Sequence, residues 1–325
     1  MNAQDQLPIF GADSPAQVHT FQDQSYRHHT EHWEKLSASD EWRRISRTWF
    51  DESTADYWRH QRMYEAVSHL ADWKGERWLT IGDGQFGLDS VRLQRRGVKT
   101  AIPTDISGVL LREAKQQGII RDYSVENAEK LRFLEESFDF VFCKEAYHHF
   151  PRPLLALYEM LRVSKTGVIL VEPQDQERSF LQNALYMLRR AARRQKHFDE
   201  RRYEESGNYV YSISRRELAK VSLGLNLPCV AFKGISDFYL SGVEFAPASY
   251  SSRKFLVMRA ANLTNDILTA FRLSMHNVLM CCIFKVDPPR HLKARLRQNR
   301  WEVVDLPRNP YAQERATTSD PQVVK

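Results

Sequence analysis

The chain has 325 residues, of which 42% are hydrophobic and 27% charged, so it can bury a core of its own and solvate the surface around it. Seven tryptophans and 17 phenylalanines exclude disorder as its general state. A formal charge of +6 permits an anionic partner and demands none.

This length suits one core domain with extensions. The expected division is an N-terminal tail and aromatic-rich helical extension over 1–72, a core domain over 73–306 with insertions at 174–275, and a C-terminal tail over 307–325. The opening MNAQDQLPIFGADSPAQ lacks the apolar run of a secretory signal, and no stretch is long enough to span a membrane, so a cytoplasmic location is expected. Cys143, Cys229, Cys281 and Cys282 form no CxxC pair and read as reduced core residues, and no metal site is expected.

In chain order, residues 24–72 read as helices loaded with Trp33, Trp42, Trp49, Phe50, Tyr57, Trp58 and Tyr64. Asp51 or Ser53 is the expected cap of a helix running to about Leu70. The segment is either a lid over a ligand or a layer packed on the outside of a sheet. Strands and helices then alternate: a strand at Trp78–Ile81, a helix at Leu88–Arg96, a strand at Thr100–Thr104 and a helix at Gly108–Gln117. A strand at Phe138–Cys143, a helix at Pro153–Val163, a turn at Lys165–Gly167 and a strand at Val168–Val171 follow. Such alternation gives right-handed crossovers and a parallel sheet covered on both faces.

Beyond Pro173, Phe180–Gln195 reads as an amphipathic helix with a basic end, whose charge either complements the helix dipole or offers a peripheral membrane contact over 180–196. Ser214 and Glu217 have capping-box spacing. Strands are expected at Cys229–Lys233, Val278–Lys285 and Trp301–Leu306, with a helix at Arg290–Arg300. The fold class is therefore α/β, Rossmann-like and doubly wound, with a mostly parallel seven-stranded sheet, an N-terminal helical extension and a helical insertion over the active-site edge.

Gly82-Asp83-Gly84-Gln85-Phe86-Gly87 follows a strand and opens a helix. Glycines let a ligand approach a tight backbone turn, and the helix end beyond offers free N–H groups. The pattern suits a pyrophosphate or the carboxylate of a methionine moiety. Asp105 ends the next strand, where an acid accepts ribose hydroxyls or else caps the following helix, a task Ser107 is placed to share. Downstream lie Asn127-Ala128-Glu129, the strand Phe138-Asp139-Phe140-Val141-Phe142, the loop Tyr147-His148-His149-Phe150 and Glu172-Pro173.

In the order and spacing of these elements, Leu79–Pro173 resembles the class I S-adenosylmethionine-dependent methyltransferases of the type 11 kind. The resemblance implies that Gly82, Gly84 and Gly87 line the methionine and ribose part of S-adenosylmethionine. Asp105 would hold the ribose hydroxyls, Ile106 would pack on adenine, Asn127 with Ala128 would read its amine, and Lys144 would border the transferred methyl. Thr80 stands where the family usually has an acid, with Asp83 as a partial substitute. Asn127 stands where the family usually has Asp, and the Pro-Gly-Gly before the fifth strand is reduced to Thr166-Gly167. His148, His149 and Glu145 follow a strand's carboxyl end and are the expected bases for transfer to an oxygen. Tyr147 either faces the sulfonium or lies in the core.

The expected acceptor is a small molecule or a saccharide, and nothing fixes the oligomeric state. Three other readings stay open. One is a nicotinamide-dependent oxidoreductase, which shares Gly82–Gly87 and Asp105. Another is a non-catalytic methyltransferase-like scaffold, suggested by Thr80. The third, a nucleic-acid enzyme, is disfavoured because Lys144-Glu145-Ala146-Tyr147 replaces the Asn/Asp-Pro-Pro-aromatic tetrad of amine-methylating enzymes.

Overall fold

The computed structural model describes residues 21–175, 203–204 and 208–312. The expected basic helix Phe180–Gln195, residues 1–20 and residues 313–325 lie outside the described residues.

The N-terminal segment is broken into short helices by its own caps. Helix α1 spans Phe21–Ser37, α2 Asp40–Thr48 and α3 Ala55–Gln61, and a 3₁₀ turn at Arg62–Tyr64 leads to α4, Glu65–Lys74. The cap of α3 is Thr54 rather than Asp51 or Ser53. Its Oγ1 accepts the Tyr57 N–H at 3.1 Å and donates to the Thr48 carbonyl at 2.8 Å, while Asp51 instead closes a local turn onto Ser53. Thr54→Ala should lower stability by about 1–2 kcal/mol, the ordinary worth of such a cap, as read from urea melts.

The sheet strands are β1 Arg77–Ile81, β2 Thr100–Asp105, β3 Ser124–Val125, β4 Phe138–Lys144, β5 Ser164–Pro173, β6 Cys229–Ile235, β7 Val278–Phe284 and β8 Glu302–Asp305. Their order is β3-β2-β1-β4-β5-β7-β6-β8. The first five run parallel, and β7 and β8 run antiparallel to their neighbours. The sheet thus has eight strands rather than seven, because β3 is a two-residue pairing too short to show in hydrophobic periodicity. The turn expected at Lys165–Gly167 is absent, since the helix before β5 passes straight into the strand at Ser164.

Helices α5 (Leu88–Arg95), α6 (Val109–Gln116), α7 (Pro153–Val163), α8 (Arg215–Gly224), α9 (Arg253–Ala270) and α10 (Arg290–Gln298), with a 3₁₀ turn at Tyr147–His149, complete the described elements. Ser214 caps α8 by accepting the Glu217 N–H at 3.1 Å, but Glu217 receives the Tyr211 hydroxyl rather than closing a capping box.

Two apolar layers sandwich the sheet. One contains Val141, Cys143, Leu157, Met160 and Leu170 under α7. The other contains Tyr64, Val67 and Leu70 against Phe140, Phe142 and Val171. Phe138 shares the first layer with Val141, three residues on, because the β4–β5 register shifts between Phe138 and Phe140. The vicinal Cys281 and Cys282 point to opposite layers, as strand alternation requires, and all four cysteines are free and buried. Part of the aromatic segment packs on the sheet and part lies at its edge. Tyr64 stacks on Phe142 at 5.5 Å, whereas Trp33, Trp42 and Trp49 lie at the carboxyl ends of the strands.

Candidate active site

A cavity of about 450 Å³ opens outside the carboxyl ends of β1, β2 and β4. In open parallel sheets this is the position of the ligand site.

The β1 turn forms its floor. Gly82 has φ +72°, and a Cβ there would fall 2.2 Å from that of Ala146 in the loop after β4. At Gly84 a Cβ would meet Asp105 Oδ2 at 2.7 Å, so the missing side chain is what seats that carboxylate. Gly84→Ala should therefore displace Asp105 and weaken binding of S-adenosylmethionine about tenfold or more with little loss of fold, which calorimetry beside a thermal melt would read. Asp83 accepts the Asp89 and Ser90 N–H groups at 2.9 Å each and the Thr80 hydroxyl at 2.8 Å. It therefore ties the end of β1 to the start of α5. Burial and the neighbouring Asp89 push its carboxyl well above the usual range, against those three donors.

Asp105 accepts the Ser107 N–H at 2.8 Å, and burial raises its carboxyl to about 6. Helix α6 starts after Gly108 without a side-chain cap, so Ser107 does not cap it. Beyond β3, Asn127 Oδ1 accepts the Glu129 N–H at 2.9 Å. Glu129 in turn takes the Tyr26 hydroxyl at 2.5 Å and Arg152 at 2.6 Å, which fixes α1 over this loop.

The loop after β4 is shaped by Glu172, a fully buried residue at the end of β5. Its Oε1 accepts the N–H groups of Ala146 at 3.0 Å and Tyr147 at 2.9 Å, and its Oε2 lies 2.6 Å from His148 Nδ1. The loop begins with Glu145 at φ +51°, a strained conformation for a non-glycine residue. Lys144 pairs with Glu145 at 2.8 Å and approaches Asp89 at 3.9 Å. Lys144 and Arg59 hold the Glu145 carboxyl far below its usual range against its burial.

A chain of rings roofs the cavity. His149 neighbours His29 at 5.8 Å, and His29–Trp33, Trp33–Trp42, Trp42–Trp49 and Trp49–His60 follow at 5.9, 6.0, 6.1 and 5.4 Å. At its far end α3 presents Asp56, Arg59 and His60. Asp56 takes the Trp49 N–H and pairs with Arg59 at 2.9 Å, and Arg59 reaches Asp237 at 2.9 Å. Tyr239 and Glu244 close that side.

Of the residues expected from sequence, Gly82, Asp83, Asp105, Ile106, Asn127, Ala128, Lys144, Glu145 and His149 line this one cavity. Thr80, Gly84, Gly87 and His148 do not; each sits behind the lining, and Gly87, at φ +66°, starts α5. Tyr147 is fully buried in the core. The sequence reading missed Asp56, Arg59, His60, Tyr239 and Glu244. Only the first three left a trace, since spacings of three and four put three titratable groups on one face of a helix.

A glycine turn beside an acid ending β2 serves nicotinamide and S-adenosylmethionine sites alike. The match of residues 79–171 to the family model described as a methyltransferase domain makes the chain an S-adenosylmethionine-dependent methyltransferase, with S-adenosylmethionine as its cofactor. Among solved structures, the YcgJ protein of Bacillus subtilis is 21% identical, with 70% of this chain and 100% of that one covered at a TM-score of 0.45. A possible histamine N-methyltransferase of Thermotoga maritima is 16% identical over 80% of this chain and 100% of that one, at 0.42. A methyltransferase-like protein of Bacillus halodurans is 16% identical over 68% and 97%, at 0.40. No curated protein matches the chain. Among the described residues no helix is long and apolar enough to cross a membrane.

Proposed function

We propose that this enzyme methylates a hydroxyl oxygen of a small-molecule or saccharide acceptor in the cytoplasm. The observation that carries the reading is a cavity of small-molecule size in which the β1 turn, Asp105 and Asn127 face a wall of indoles and a cluster of acids. S-adenosylmethionine supplies a methyl already activated on sulfonium. The protein's part is then to orient the acceptor and keep water out. Asp105 accepts the ribose hydroxyls, Ile106 packs on the adenine, and Asn127 beside Ala128 reads its amine. Gly82 and Asp83 border the methionine end, and Lys144 lies beside the methyl with its charge offset by Glu145 and Asp89. Thr80, Gly84 and Gly87 act from behind, by holding Asp83, seating Asp105 and starting α5.

Among the expected bases, Glu145 is committed to Lys144, and His148 to Glu172, while His149 shares its Nδ1 with Glu204 at 2.8 Å. Calorimetric titration with S-adenosylmethionine, with NADH in parallel, tests the cofactor half of this reading. Micromolar binding of the first and none of the second supports it, and the reverse overturns it. Methyl transfer to amines alone would overturn the oxygen assignment.

A further inference from the structure

Buried polar atoms in folded proteins nearly always have partners, and the exceptions mark places where something else binds. Four such atoms belong to residues that line the cavity: His29 Nδ1, Trp42 Nε1, His60 Nδ1 and Glu244 Oε2 have no hydrogen-bond partner among the described residues. Their polarity is readable. Trp42 can only donate. His29 Nε2 takes the Trp33 N–H at 2.7 Å, so a neutral His29 ring carries its proton on Nδ1 and donates as well. Glu244 accepts: Tyr239 occupies its Oε1, and Oε2 is left open. His60 and Glu244 are 5% and 6% exposed, and both line the cavity.

His60 is also flanked by carboxylates. Asp56 Oδ1 lies 3.5 Å from its Nε2, and Glu145 Oε2 lies 3.5 Å from its Nδ1. Such an arrangement orients an imidazole and stabilises it once it has taken a proton. Around it stand Asp56 and Arg59 of its own helix, Lys144 and Glu145 from the end of β4, and Arg92 of α5. Burial outweighs the acids and keeps the ring neutral near pH 7, the form that accepts a proton. Trp49, 5.4 Å away, offers an indole for a flat ring to lie on.

We propose that His60 is the base of the reaction and Glu244 its selector, and that the acceptor is a ring bearing two hydroxyls, sugar or phenol. This rests on the methyltransferase reading above. The reacting hydroxyl oxygen bonds to the methyl carbon as the carbon–sulfur bond breaks towards sulfur. Its proton passes to His60, whose imidazolium is held between Asp56 and Glu145. A second hydroxyl donates to Glu244 Oε2.

The test measures S-adenosylhomocysteine release by the full chain with methyl hexosides, with catechols, and with ring amines of matching shape. Turnover is expected in one of the two hydroxyl arms, and which arm responds distinguishes sugar from phenol. His60→Gln should lower kcat about 100-fold or more and flatten the acid limb of the pH–rate profile, leaving S-adenosylmethionine affinity intact. Glu244→Gln should raise KM for the diol about tenfold while sparing kcat. Unchanged cofactor affinity in both variants shows that they fold. Turnover confined to amines, or wild-type kcat and pH profile in His60→Gln, overturns the proposal. Should no arm turn over, saturation-transfer NMR with S-adenosylhomocysteine present decides. Contact with a diol that Glu244→Gln abolishes supports the proposal, and no contact overturns it. Failure of the wild type to bind S-adenosylmethionine would count against the methyltransferase reading instead.

Discussion

Asp105→Ala should lower the affinity for S-adenosylmethionine at least 100-fold while leaving the protein folded. A carboxylate that accepts two hydroxyls makes two charge-assisted hydrogen bonds, each worth about 1.5–3 kcal/mol, and alanine removes both. The bare Gly84 leaves room for that carboxylate, and the Ser107 N–H orients it. Burial raises Asp105 to about 6, and this adds a pH dependence that can be checked. Only the ionised form can accept from both hydroxyls. Affinity should therefore hold above pH 7 and fall as pH drops through 6, by about tenfold at pH 5. The sign for folding is opposite. A carboxyl raised in the folded state contributes stability that is fully present below its unfolded value of 3.8 and lost as pH rises through about 6. The alanine variant should thus melt slightly higher than wild type at pH 8 even though it no longer binds. Calorimetry and thermal melts at pH 5, 6 and 8 would show both trends, and a pH-independent affinity in the wild type would remove Asp105 from the ribose site.

Glu172→Ala should produce the largest loss of stability, although Glu172 lines no cavity. It is fully buried, and it serves two backbone N–H groups and a histidine. Deletion strands all three, at a cost of about 3–5 kcal/mol, which for a domain of this size is a fall of roughly 10 °C in Tm. Burial lowers the His148 value, but Glu172 outweighs this and leaves it raised. That part of the stability is fully present below the unfolded value and fades as pH rises through the folded one. The gap between wild type and variant should be widest at pH 6 and narrower at pH 8. Because the same carboxylate sets the path of the loop from Glu145 to His149, methyl transfer should be lost even at temperatures where the variant is folded.

The β1–β4 side of the cavity could be read from the chain because it is built from local patterns. Short apolar strands, glycines at their ends and an acid one strand later are contiguous in sequence and obey simple periodicities. Strand β3 escaped because two residues carry no period. The broken course of α2 to α4 escaped because Thr54, not Asp51 or Ser53, wins the cap, by bonding both forward to Tyr57 and back to Thr48. The side of the cavity proposed for the acceptor was hidden for a different reason. Asp56 and His60 come from before the first strand, Asp237 and Glu244 from after the sixth, and they meet only once the sheet is assembled. Glu172 was visible as a residue but not as a function, because its role is to hold backbone rather than ligand. His148 was visible as a histidine, but the buried carboxylate that claims it lies 24 residues away.

The ring roof makes the protein its own optical reporter. Of its seven tryptophans, Trp33, Trp42 and Trp49 line the cavity, while Trp58, Trp73, Trp78 and Trp301 do not. Centroid separations of 6.0 and 6.1 Å let the three indoles share excitation, and a carboxylate on Trp49 and an imidazole on Trp33 are groups that quench indole emission. A molecule that slides beneath them changes polarity and quenching at all three together. The colour and intensity of the intrinsic ultraviolet emission should therefore shift on occupancy, so acceptors can be screened by light alone, without a label and without turnover.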